Sequence, residues 1–127
     1  VVVDKVAGWP FMIQVVNKKT HNGPGEYIGR PTPLGNPFTH LSDVKGCKQV
    51  GSRLEAVERC RQWLRAEYRK KGVVYRELHR LADIYQRDDK LVLICWCSPE
   101  ACHGDVIKDA ILGIIRIRNN RDDNKHS

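Results

Sequence analysis

Seven consecutive apolar residues, Leu91-Val92-Leu93-Ile94-Cys95-Trp96-Cys97, stand between the Asp88-Asp89 turn and a loop from Ser98 to His103. The run is too short to span a membrane, which takes about 20 apolar residues. Its hydrophobicity is continuous rather than alternating, which suits a strand covered on both faces at the centre of an α/β sheet. Helical periodicity flanks it on both sides. Upstream, Ser52-Arg53-Leu54-Glu55 forms a capping box, and the helix it opens carries Leu54, Val57, Cys60, Leu64 and Tyr68 as an apolar stripe. Gly72 is the expected stop. A second helix is expected over about residues 74–86, with Val74, Leu78, Leu81 and Tyr85 on one face. Downstream, Gly104-Asp105 opens a last helix to about Arg118, with Ile107, Ala110, Ile111 and Ile114 inward.

Met12 to Val16 reads as a first strand, and Tyr27-Ile28 or Val73-Val74-Tyr75 is the candidate for a third. Strands separated by helices predict a small Rossmann-like three-layer α/β sandwich, with a mainly parallel sheet and flanking helices. A chain of 127 residues suits one domain. Residues 1–11 read as an N-terminal extension, 12–118 as the core and 119–127 as a frayed polar tail.

The net charge is +7, and its excess lies in the first two thirds of the chain, since residues 91–127 carry five basic and five acidic groups. Such a balance favours anionic partners. Five cysteines, an odd number, read as reduced thiols. With no signal-peptide pattern in Val1-Val2-Val3-Asp4, the expectation is a cytoplasmic protein without a membrane partner.

Two segments carry candidate chemistry. The first is the turn-rich stretch Asn17 to Pro37, where Pro31, Pro33 and Pro37 exclude a helix and stiffen the path. Within it, Tyr27, Arg30, Gly35 and Asn36 are the expected ligand contacts, and the adjoining Phe38 also stands out. Arg30, between Gly29 and Pro31, is suited to present a guanidinium to a phosphate. The second is Cys95 to Asp105, at the carboxyl end of the expected central strand and the mouth of a helix. Ligands of open α/β sheets bind at that edge, and helix N-termini favour anions.

Three readings of the second segment stand side by side. Zinc bound by Cys95, Cys97, Cys102 and His103 is opposed by spacing, because residues two apart on a strand lie roughly 7 Å from each other. Cys102 as a nucleophile, with His103, His21 or His40 as its base, draws on the helix dipole. In the third, a ligand-binding loop, Cys95 and Cys97 are small buried apolar residues and Trp96 is core. His103 and Asp105 supply polar contacts beside the helix N-terminus. Gly104 and Cys97, which stands between core and site, count among the ligand-binding residues. In that reading His103 or Asp105 moves a proton. The favoured function is binding or processing of a nucleotide or related phosphorylated ligand, by hydrolysis or transfer at a glycosidic or phosphate bond, with no cofactor. Two alternatives involve other surfaces. Arg61, Arg65, Arg69, Arg76 and Arg80 on the first two helices offer a nucleic-acid face. Leu112, Ile115 and Ile117 make the last helix apolar around most of its circumference, which suits a homodimer.

Tyr27 to Phe38 and Cys95 to Val106 together resemble the signature stretches of a family catalogued as domain of unknown function 4326, found in bacteria, archaea and their viruses. The similarity extends over about residues 12–118. It implies that both stretches belong to one site, with Arg30, Gly35, Asn36 and Pro37 facing Cys97, Cys102, His103, Gly104 and Asp105. It implies no particular activity.

Overall fold

The computed structural model describes residues 12–96 and 103–126, with side chains as far as Arg121. Cys97 and Cys102 lie outside the described residues. The elements are β1 (Met12–Asn17), β2 (Glu26–Tyr27), β3 (Phe38–Thr39), β4 (Lys48–Gln49), α1 (Arg53–Arg69), α2 (Val73–Asp88), β5 (Lys90–Cys95) and α3 (His103–His126). β5 is the middle strand of a parallel sheet ordered β1-β5-β2, with Ile13 opposite Leu91 and Tyr27 opposite Ile94. A parallel pair, β3 and β4, stands apart from it. Helices with parallel strands make this a small α/β domain, as expected.

The core follows from apolar spacing. Leu91, Leu93 and Cys95 of β5 are buried together with Ile13, Leu78, Leu81, Tyr85, Ile107 and Ile111. Val92 and Ile94 are only partly buried, so burial along β5 alternates where continuous cover was expected. The three helices also pack against one another. Ile28 and Leu34 join the same core and anchor the turn-rich segment to it.

Several boundaries differ from expectation, each for a physical reason. Ser52 caps α1 by accepting from the Glu55 amide at 3.1 Å, but the Glu55 carboxylate accepts from Gly51 N rather than from Ser52. Leu54 is 70% exposed, and Ala56 takes the buried position. Two residues turn a helix by about 200°, so both cannot face the core. α1 stops at a Lys70 cap, Lys71 takes a left-handed φ of 56°, and Gly72 becomes the N-cap of α2 rather than a stop. Val73-Val74-Tyr75 is therefore helical, and the third strand is β2. The last helix runs on to His126 where a frayed tail was expected. No proline or glycine interrupts residues 114–126.

Candidate functional site

The carboxyl ends of β2 and β5, the turn-rich segment, the first turns of α1 and the start of α3 enclose a cleft of about 540 Å³. Tyr27, Arg30, Phe38, His40, Lys45, Arg53, Trp96 and His103 are among its lining residues. Arg30 and His103, 73 positions apart in sequence, thus share one cavity. Among the described lining residues there are cations at Arg30, Lys45 and Arg53, and no carboxylate.

The turn-rich segment is built from local hydrogen bonds. Thr32 donates to the Gly29 carbonyl through both its amide and its hydroxyl, and the Gly35 amide donates to the Thr32 carbonyl. A Cβ on Gly35 would lie 2.9 Å from Arg30 Cγ and 3.0 Å from the Arg30 backbone nitrogen. Glycine is therefore required there by close approach of the chain to itself. The Trp96 indole N–H donates to the Tyr27 hydroxyl at 2.9 Å, and that hydroxyl donates to the Arg30 carbonyl at 2.8 Å. These bonds tie the ends of both strands to the backbone that carries the guanidinium. Lys18 Nζ lies 4.6 Å from the Tyr27 ring centroid and 5.3 Å from that of Trp96, within cation–π range.

Arg30 extends its guanidinium over Cys47, whose Sγ accepts from Nη1 at 3.0 Å. Asn36 is buried, with its side-chain nitrogen donating to the Ala56 carbonyl and its side-chain oxygen accepting from the Phe38 amide. It fastens the segment to α1, which leaves one amide hydrogen for a ligand. Expected as a ligand-orienting residue, it is first a structural one.

His103 opens α3 and is buried, and its Nε2 stands 2.8 Å from the Ile28 carbonyl oxygen. A carbonyl only accepts, so Nε2 carries the proton and Nδ1 is the basic nitrogen of the neutral ring. Burial holds the imidazole below its ordinary range, and the Arg30 guanidinium acts in the same direction. The Ile28 hydrogen bond and Asp105 oppose them. Hence His103 is neutral at physiological pH.

Other expected residues fall elsewhere. Asp105 is exposed on the first turn of α3 and does not line the cleft, because two residues along a helix turn it away from His103. Gly104 is buried just behind His103. Cys95 is a fully buried core thiol, as is Cys60, whose thiol burial pushes up to about 12. Among the described residues no cluster of three metal-ligating side chains occurs. His21 bonds to the Pro24 carbonyl oxygen, whereas His40 lines the cleft. Trp96, expected in the core, is 49% exposed.

The arginines read as a nucleic-acid face are divided. Arg61 pairs with Glu58 and with Asp109 of α3, and Arg80 pairs with Glu77 and with Glu26 of β2. Arg65, Arg69 and Arg76 remain exposed. Lys45 and Arg53 escaped sequence reasoning. Each looks like an ordinary surface cation, and only the folded path brings them beside Arg30.

These features define a class: a small parallel α/β domain with a cationic, aromatic-walled cleft at the carboxyl ends of its strands. The chain belongs to the family described as Domain of unknown function (DUF4326), whose model matches residues 13–113. No curated protein and no solved structure matches it. The matched span contains the turn-rich segment and the start of α3 that form the cleft. No described helix is long and apolar enough to cross a membrane.

Proposed function

We propose that the cleft binds a nucleotide or a closely related phosphorylated ligand. The observation that carries this reading is the lining itself, with three Arg/Lys side chains, three aromatic rings and, among the described residues, no carboxylate. A lining with cations and no described carboxylate favours an anion, and the aromatic side chains of Tyr27, Phe38 and Trp96 add apolar surface for a planar group. The cleft volume lies within the range of roughly 300–1,000 Å³ usual for small-molecule sites. Arg30 is the phosphate contact, since Tyr27 and Gly35 hold its backbone in place.

His103 supplies the proton chemistry. With Nε2–H committed to Ile28, its Nδ1 accepts a proton from water or from a ligand hydroxyl. Hydrolysis or group transfer at a glycosidic or phosphate bond is the reaction class that one neutral base and an anion-holding guanidinium fit.

A thermal-shift screen against nucleoside phosphates, sugar phosphates and zinc tests the reading. A nucleoside phosphate is expected to raise Tm with concentration, and Arg30→Ala to abolish the shift. Shifts indifferent to both Arg30→Ala and His103→Ala, or no shift with any phosphate, would overturn it.

A further inference from the structure

We propose that a second cavity, the groove where α1, α2 and α3 meet, docks an acidic amphipathic helix of a partner protein. The groove holds about 450 Å³, and Leu64, Leu78 and Ile114 form its apolar floor. Leu64, Leu78 and Ile114 are buried, but Ile117 stands 52% exposed at the rim. Gly113 opens the middle of the groove, since a Cβ there would meet nothing within 4 Å. Glycine disfavours a helix interior, and at this place it leaves room for a second helix to approach closely.

The charge at one edge identifies the partner's chemistry. Arg65 and Arg69 line the groove one helical turn apart, both exposed, and neither forms an ion pair with a described residue. Their neighbours on α1 are satisfied, with Arg59 on Glu55, Arg61 on Glu58 and Asp109, and Lys70 on Glu67. The cations left over are those beside the apolar floor. A helix with apolar residues at i, i+3, i+4 and i+7 and Glu or Asp along one flank complements both features.

A second copy of this chain is the poorer occupant. Its own α3 interleaves the exposed Arg116 and Arg121 with its carboxylates and so offers Arg65 and Arg69 no uninterrupted acidic flank, on a chain already at +7. Nucleic acid would leave the apolar floor unused.

Two fluorescein-labelled helical peptides of about five turns, sharing one leucine face and flanked by Glu in one and Lys in the other, test the proposal by anisotropy with the full chain. The Glu peptide is expected to bind at least about tenfold more tightly than the Lys peptide, and Arg65→Glu/Arg69→Glu to invert that order. Gly113→Leu fills the open slot and is expected to abolish binding with an unchanged circular dichroism spectrum. Ile117→Ser, at a position already exposed, serves as the second variant and is expected to weaken binding. Equal affinity for the two peptides, no binding of either, or full binding by both groove variants would overturn the proposal. So would a dimer in sedimentation that Ile117→Ser disperses, or RNA binding that the charge reversal removes.

Discussion

A single methyl group at Gly35 would collide with Arg30, and this is where sequence and site chemistry meet most directly. Gly35→Ala is expected to cost about 1–3 kcal/mol in urea unfolding and to weaken ligand binding by displacing the guanidinium. Wild-type stability in that variant would contradict the packing described. The histidines add a pH dependence. His79 accepts a hydrogen bond from Arg118 at Nδ1 and lies 2.9 Å from the Tyr68 hydroxyl. Burial lowers its affinity for a proton, as it does for His103. Below the ordinary imidazole range, around pH 6.5, the unfolded chain takes up protons that the folded chain resists. Stability is therefore fully present above that range and falls as pH drops toward the folded values. Urea midpoints across pH 5 to 8 should show this slope, and His103→Asn should flatten it. A midpoint that rises on acidification would contradict the assignment. Arg30 and His103 were legible in the sequence because a guanidinium between Gly and Pro and an imidazole at a helix mouth are unusual placements. Asp105 was misplaced because helical phase, which only the folded start of α3 defines, turns it away from the cleft.

Elements were legible where local signals are strong. Ser52 marks the start of α1 through its own hydrogen bond, and Ser52→Ala is expected to cost about 1 kcal/mol, read as a lower thermal midpoint. Leu78 and Leu54 both looked like core residues, yet one is fully buried and the other is 70% exposed. Leu78→Ala should therefore cost about 2–5 kcal/mol, while Leu54→Ala should stay within about 0.5 kcal/mol. Similar losses at both positions would mean that the phase of α1 is wrong. β5 was readable as a central strand from its apolar run. The two-residue strands β2, β3 and β4 were not, apart from the hint at Tyr27. Their existence depends on partners far away in sequence, and a ladder of two residues leaves no periodicity to detect.

For the whole molecule, parallel order around β5 brings the ends of β2 and β5 together and sets the turn-rich segment against the start of α3. The pairing of two distant stretches was legible only by resemblance, whereas the additional cations Lys45 and Arg53 needed the folded path. Ion pairing of Arg61 and Arg80 across elements draws charge away from the outer helical surface. Backbone amide NMR during titration with a nucleoside monophosphate tests the central claim most directly. The account predicts saturable shifts concentrated at Gly29, Arg30, Lys45, Arg53 and His103, and lost in Arg30→Ala. Shifts confined to Arg61 through Arg80, or none at saturating ligand, would contradict it.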